Sequence, residues 1–406
     1  MNQDSDTGTS DTREVGVIEW LPERRVNDQS VVRIASGSAF VQASAEIHDV
    51  YDALTREPSL QAVGVVDAEE MVLGIVVRRD FFATMARPYA QDVFRNLPVT
   101  EVMTIARTFS GDSDIFTISD DIAEEMREPT VQYYLLTWSG QRFGGIFSSH
   151  DMLVYLSQIT QQDIELARKL QSRIVREREI AVGERLELVA SSHTAKGVGG
   201  DFYKTTQYAP GKWIVTVCDV SGKGVAASII TSVLWGMMSI YDFTQGVVPF
   251  IRQLNDYLVQ TFETEKFVTA VFLDYDETAG TVTICDMGHS HIFLYRDHML
   301  HALKTKQNNL PLGIVTGIEP KVDTFRPRET DLLFLITDGL IEQPDEQGVM
   351  YNLSRVTEIL RESENDPVES LSDRIFKDFN QFRGRRPLGD DITWSLMRFN
   401  EQTVIL

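Results

Sequence analysis

The first 157 residues contain no lysine, and the whole chain of 406 residues holds 38 Lys and Arg against 60 Asp and Glu, a formal net charge of −22. That shortage of positive charge argues against non-specific nucleic-acid binding and against docking on an acidic membrane surface, since both need basic patches. Cysteine is scarce too: Cys218 and Cys285 are the only two, each inside an apolar run with strand character. Two such thiols do not make a disulfide framework, and they fit a reducing compartment. No long apolar run is present. The longest uncharged stretch, Val225 to Tyr241, is interrupted by serines, a threonine and a glycine and falls short of the roughly 20 apolar residues of a spanning helix. Met1 to Arg13 is polar and acidic, the reverse of a secretory leader. The expectation is a cytoplasmic protein with neither nucleic acid nor membrane as partner.

What is present is enough for folded cores. An apolar content of 43% supports them, and 406 residues exceed one ordinary domain. Composition suggests the boundaries. Residues 1–157 carry a net charge of −13, residues 158–185 of +1, and residues 186–406 of −10. The expected order is a disordered stretch over 1–15, a first domain over 16–157, a linker over 158–185 and a second domain over 186–406.

The first domain contains a repeat at a spacing of 71 residues. Val63 to Asp67 and Leu73 to Val77 read as a hairpin, followed by a helix over Arg79 to Met85. Tyr133 to Thr137 and Gly144 to Phe147 repeat it, followed by His150 to Leu156. Helices are predicted before each unit, at Ala45–Arg56 and Asp120–Arg127. Gly74 with Asp80 matches Gly145 with Asp151. This twofold unit resembles a pair of CBS domains, an α/β regulatory module. Gly145-Ile-Phe-Ser148-Ser-His-Asp151 fits the usual cue, whereas the first copy has Val77 in place of the hydroxyl. The resemblance implies an adenine nucleotide as regulatory ligand, with Asp80 and Asp151 accepting from a ribose and Ser148 helping to hold the nucleotide. A carboxylate suits a diol because both oxygens accept. The alternative expectation is that Asp80 and Asp151 simply cap the helices that follow.

Over residues 158–185 there is no Gly or Pro until Gly183, and Ile159, Leu166, Leu170 and Ile174 form a stripe near helical spacing. An amphipathic helix is predicted. It either supercoils with a second copy, giving a homodimer, or packs on its own chain.

After Leu186 apolar strands dominate, with helices predicted at Val225–Tyr241, Val247–Thr261, Ser354–Glu362 and Val368–Arg383. The pattern indicates an α+β fold of two antiparallel sheets with helices outside. Strand ends repeatedly carry aspartate close to glycine: Gly199-Gly200-Asp201, Asp219-Val220-Ser221-Gly222, Thr337-Asp338-Gly339 and Gly389-Asp390-Asp391. One such pair is ordinary turn chemistry. Four together indicate carboxylates gathered at one rim, where a hard divalent cation offsets their repulsion.

The segments GVGGDFY (197–203), CDVSGKG (218–224), DMGHSHIFLY (286–295), PLGI (311–314), ITDG (336–339) and GDDIT (389–393) resemble the SpoIIE/RsbU-like branch of the PPM family, relatives of protein phosphatase 2C. That resemblance spans about residues 186–400. It implies an α-β-β-α sandwich, two Mn²⁺ or Mg²⁺ ions, and hydrolysis of phosphoserine or phosphothreonine on a phosphoprotein, an anti-sigma-factor antagonist in this branch. It assigns Asp219 as the bridging ligand joined by the Val220 carbonyl, Asp201 to one metal, and Asp338 and Asp390 to the other, with Asp391 as a ligand or its support. Lys196 falls where animal-type relatives carry a phosphate-binding Arg. Ser221 stands where they carry a histidine acid, which leaves a metal-bound water as the expected donor and His289 as an alternative. Lys223 is expected to steady the metal loop. A catalytically inactive fold serving as a nucleotide-responsive binding module is the competing expectation.

Overall fold

The computed structural model describes residues 14–21, 31–138, 141–195, 197–262, 265–306 and 309–400. The chain forms two compact units, Met1–Gln161 and Gln162–Leu406. All but the last two residues of the stretch expected to be disordered lie outside the described residues.

In the first unit the repeat of sequence is a repeat of topology. β1 (Glu14–Val15), β2 (Ile18–Trp20) and β3 (Ala39–Gln42) lead into α1 (Ile47–Arg56), β4 (Ala62–Val66), β5 (Val72–Val77) and α2 (Arg78–Met85). After α3 (Ala90–Phe94), the same order returns as β6 (Thr108–Ser110), α4 (Ile115–Asp121), β7 (Tyr133–Trp138), β8 (Arg142–Ser148) and α5 (Ser149–Gln171). In each copy a parallel pair, β3 with β4 or β6 with β7, is extended by an antiparallel hairpin. The matched glycines have a geometric reason. Gly74 faces Val65 and Gly145 faces Leu136, in each case where the hairpin register shifts by a bulge. Bulged strands bend sharply, and a side chain at that point obstructs the close approach. A Cβ on Gly74 would lie 2.7 Å from the Thr104 carbonyl, and Gly145 has φ 139°. Phe40, Val66 and Ile75 of one copy share a core with Leu135, Phe143 and Ile146 of the other.

Two sequence expectations need correction. The helix expected over Asp120–Arg127 starts earlier, because Asp114 caps α4 by accepting from the Phe116 and Thr117 amides at 3.0 and 3.1 Å. Glu125–Arg127 forms only a 3₁₀ turn. The helix expected over 158–185 runs instead over Ser149–Gln171, absorbing the short helix predicted at His150–Leu156, and Arg178–Val182 is a strand. Ile180 and Val182 are β-branched, and pairing with a neighbouring strand overrides the weak helical stripe there.

The second unit continues with β9 (Arg178–Val182), β10 (Leu186–His193), β11 (Phe202–Ala209), β12 (Lys212–Val220), α6 (Val225–Ile240) and α7 (Val247–Phe262). There follow β13 (Val268–Asp276), β14 (Thr281–Met287), β15 (Ile292–Arg296), β16 (Met299–Ala302), β17 (Asp323–Phe325), β18 (Leu332–Ile336), α8 (Leu353–Glu362), α9 (Val368–Arg383) and β19 (Ile392–Phe399). One sheet has the order β16-β15-β18-β19-β10-β9 and the other β11-β12-β13-β14-β17. Leu234, Phe250 and Leu254 pack α6 and α7 on Phe202, Cys218 and Phe272. Leu360, Leu371 and Phe379 pack α8 and α9 on Phe334 and Trp394. Leu188, Val215, Val217, Val271, Leu335 and Met397 fill the space between the sheets. The layers are therefore helix, sheet, sheet, helix, as the sequence pattern predicts. Both cysteines are buried free thiols.

Candidate functional site

Strand alternation delivers the carboxylates. On β12, Val215 and Val217 face the opposite sheet, so Asp219, two residues on, keeps that direction as the strand runs out. Asp201 precedes the inter-sheet Tyr203 by two residues, and Asp391 stands in the same phase as Met397 and Phe399 of β19. At this end the filling between the sheets changes from aliphatic to polar. Thr337 Oγ1 donates to Asp201 Oδ2 at 2.6 Å, and Thr393 Oγ1 donates to Ser192 Oγ at 2.8 Å. All four side chains are buried.

The loop before β11 is held by the loop before β19. Asp391 Oδ1 accepts from the Ala195 amide and Oδ2 from the Gly200 amide, both at 2.8 Å. The approach leaves no space for side chains: a Cβ on Gly199 would lie 2.5 Å from Asp391 Oδ2, and one on Gly339 would collide with the Asp391 carbonyl. The Val220 carbonyl packs against Gly200. Asp338 opens a 3₁₀ turn, Asp338–Leu340, directly after β18.

Electrostatics mark this end as strained by like charge. Burial, then the repulsion of Asp338, Asp390 and Asp391, pushes the Asp219 carboxyl up to about 7. Burial and the nearby Asp219 raise Asp201 well above the usual carboxylate range. Burial also raises Asp391, against the lowering effect of its amide donors. Lys223 is the neighbouring cation: its Nζ lies 2.6 Å from Asp390 Oδ2 and 3.1 Å from the Gly389 carbonyl. Among the described residues no three His, Cys, Asp or Glu side chains close into a ready metal cage. The donor set, carboxylates and one backbone carbonyl, is nevertheless the type that Mg²⁺ and Mn²⁺ prefer. The elevation of Asp201 and of Asp219 is what a binding cation would relieve.

Asp201, Asp219, Asp338, Asp390 and Asp391 thus share one end of the sandwich, as the sequence motifs suggest. Lys196 lies outside the described residues. His289 is buried and its Nε2 bonds the Ile336 carbonyl at 2.7 Å, while burial lowers its pKa to about 4. It is a neutral packing residue behind the Asp338 turn, unsuited to donating a proton near neutrality. Ser221 stitches its own loop, its amide donating to the Phe267 carbonyl and its Oγ accepting from the Phe267 amide.

One residue had no motif to announce it. Gln171, the last residue of α5, is buried. Its Nε2 donates to the Gly199 carbonyl at 2.7 Å and to Thr231 Oγ1 at 3.0 Å, and its Oε1 accepts from the Gly199 amide at 2.9 Å. It therefore fastens the end of the helix to the loop that carries Asp201. The apolar stripe did not announce it: Leu166 and Leu170 are exposed, whereas Gln171 is buried.

In the first unit a cavity of about 310 Å³ includes Ser36, Tyr133, Ser148 and Asp151 in its lining. Ser148 and Asp151 form a reciprocal capping pair at the start of α5. Ser148 Oγ accepts from the Asp151 amide at 3.1 Å, and Asp151 Oδ2 accepts from the Ser148 amide at 2.7 Å. Ser36 Oγ donates to the same oxygen at 2.6 Å. The equivalent cap in the first copy is Val77, which makes no such bond, and Asp80 pairs with its neighbour Arg79.

Residues 209–400 match the family described as Stage II sporulation protein E (SpoIIE). The chain is 23% identical over 242 residues to phosphoserine phosphatase RsbP of Bacillus subtilis (strain 168), covering 57% of this chain and 56% of that protein. It is 27% identical over 193 residues to Stage II sporulation protein E of Priestia megaterium, covering 46% of this chain and 32% of that protein. The chain thus spans only about half of one curated relative and about a third of the other. Among solved structures, the SiaA-PP2C domain of Pseudomonas aeruginosa aligns with TM-score 0.49 at 17% identity, over 60% of this chain and 99% of that one. Over residues 209–400, the chain is therefore similar to the phosphatase domain of the SpoIIE family.

Proposed function

We propose that the protein is a metal-dependent phosphoprotein phosphatase acting on phosphoserine or phosphothreonine, and that its first unit regulates it. The observation that carries this is the group of five aspartates at one end of the sandwich, with Asp219 raised to about 7 by burial and its acidic neighbours. When bound, two Mn²⁺ or Mg²⁺ ions supply an activated water and offset charge on the phosphoryl oxygens. Asp219 and the Val220 carbonyl would hold the ions together with Asp201, Asp338 and Asp390. Asp391 keeps Asp201 in place through the Ala195 and Gly200 amides. With His289 buried against the Ile336 carbonyl and Ser221 tied to Phe267, neither is set to protonate the leaving oxygen, and solvent in the site is assigned that part. Lys196 is assigned to the phosphate.

The repeat in the first unit is read as a CBS pair. Its cavity beside Ser148 and Asp151 is assigned to an adenine nucleotide; Asp80 is assigned no part in it. Helix α5 carries the signal through Gln171, and a homodimer through α5 is part of the proposal. An anti-sigma-factor antagonist in the cytoplasm is the proposed substrate. The alternative, an inactive fold acting as a nucleotide-responsive module, draws on Lys223, which occupies Asp390 where a metal ligand should be free. Assay of a phosphoserine peptide with and without Mn²⁺, and with added adenine nucleotides, tests the proposal. Metal-stimulated release of phosphate supports it. Release that is absent with every divalent ion favours the alternative, and release that persists in chelator overturns the mechanism.

A further inference from the structure

Arginines of the second unit are as a rule neutralised: Arg178 meets Asp373, Arg296 meets Asp331 and Arg355 meets Asp378. Arg173 and Arg176 are exceptions. They follow α5 and line a cavity of about 240 Å³ with Glu179 of β9, Lys204 and Thr205 of β11 and Trp235 of α6. Neither guanidinium makes a close ion pair among the described residues, although Arg176 acts on Glu179 through space. Lys204 Nζ lies 4.5 Å from the centre of the Trp235 ring, which fixes a third cation at the wall. Glu179 is the lone acid in the lining, so the cavity is basic in a chain of net charge −22. One residue of the lining also carries an unsatisfied group: Thr205 Oγ1 is buried and has no hydrogen-bond partner among the described residues. A buried hydroxyl left unpaired costs about 1–3 kcal/mol unless a ligand or water completes it. β11 is also the edge of its sheet, which leaves backbone donors along its outer side unpaired by any strand.

We propose that this cavity binds a small phosphate-class oxyanion, at a site sharing no residue with the aspartate cluster. Planar guanidinium groups match tetrahedral oxyanions with paired N–H donors, and a hydroxyl adds one more. The volume of about 240 Å³ lies below the range of about 300–1,000 Å³ found for drug-sized pockets, so inorganic phosphate, pyrophosphate or a sugar phosphate fits better than a whole nucleotide. Location gives the site a consequence. The anion ties the turn after Gln171 to β11, and Asp201 stands at the head of that strand, so occupancy steadies the loop shared by Gln171, Gly199 and Asp201. The assignment is independent of whether the aspartate cluster hydrolyses phosphoesters.

The test is isothermal titration calorimetry of the full chain with inorganic phosphate and with pyrophosphate, in excess chelator at constant ionic strength. Without metal the aspartate cluster repels anions, so heat reports this cavity. Saturable binding is expected, weakened at least about tenfold in R173Q/R176Q through loss of charge-assisted hydrogen bonds and unchanged in D219N. Should the double variant fold poorly, T205V is expected to weaken binding while its urea midpoint stays at or above that of the wild type, since it removes an unpaired buried hydroxyl. No saturable heat with either anion at millimolar concentration overturns the proposal, as does equal affinity in the wild type and in every cavity variant that folds.

Discussion

Replacing Asp219 by Asn should abolish hydrolysis while stabilising the metal-free fold, a combination that a purely structural aspartate would not produce. Burial and three neighbouring carboxylates raise this carboxyl from 3.8 to about 7. An acid whose pKa is higher in the folded state favours folding when protonated. Its contribution is complete below the unfolded pKa near 3.8 and is lost as pH rises through about 7. At 1.36 kcal/mol per unit, a shift of about three units corresponds to about 4 kcal/mol at most, and coupling spreads it over the cluster. Asparagine has nearly the same shape and no charge. In urea denaturation with excess chelator, D219N should therefore gain about 2 kcal/mol over wild type between about pH 5 and about pH 8. Manganese should reverse the order. At a hundredfold excess over Kd it stabilises a competent site by about 2.7 kcal/mol, and D219N should receive much less. A variant less stable than wild type in chelator at the higher pH would refute the reasoning, as would a stability difference that does not change with pH.

Other substitutions probe the supports of the site. Gly199→Ala places a Cβ 2.5 Å from Asp391 Oδ2, so phosphatase activity and Mn²⁺ affinity should both fall at least about tenfold with circular dichroism unchanged. Lys223→Gln removes the ammonium 2.6 Å from Asp390. Because this pair is largely exposed, stability should change by less than about 1 kcal/mol, whereas calorimetry should show tighter Mn²⁺ binding; weaker binding would mean that Lys223 supports the metal loop. Gln171→Ala removes three hydrogen bonds around Gly199 and Thr231, and a stability loss of about 1–3 kcal/mol is expected from the exposed partners. Amide exchange should rise at Gly199 and Gly200 before it rises in β12, and uniform exchange would count against a local role for this glutamine.

Much of the second unit was readable because its signals are local. The helix Val368–Arg383 has the bounds expected from its apolar pattern, and the helix expected at Val225–Tyr241 ends one residue earlier at Ile240. β9 was not readable as a strand, since its short Glu-Ile-Ala-Val segment continues a polar helical pattern and becomes a strand only by pairing with β10. In the first unit the repeat was plain, but the start of α4 depended on the Asp114 cap, and α5 joined two segments read as separate.

At the site, sequence alone determined that aspartates close apolar strands beside glycines, because period-two alternation and the need for small turn residues are properties of neighbouring positions. Tertiary structure decided what each carboxylate does. Asp391 meets the Ala195 amide across 196 positions, Lys223 meets Asp390 across 167, and Gln171 meets Gly199 across 28. Such pairings depend on how two sheets and a preceding helix pack. The physical reason is that charge and hydrogen bonding act through space, and burial between the sheets makes those interactions strong enough to move Asp219 to about 7.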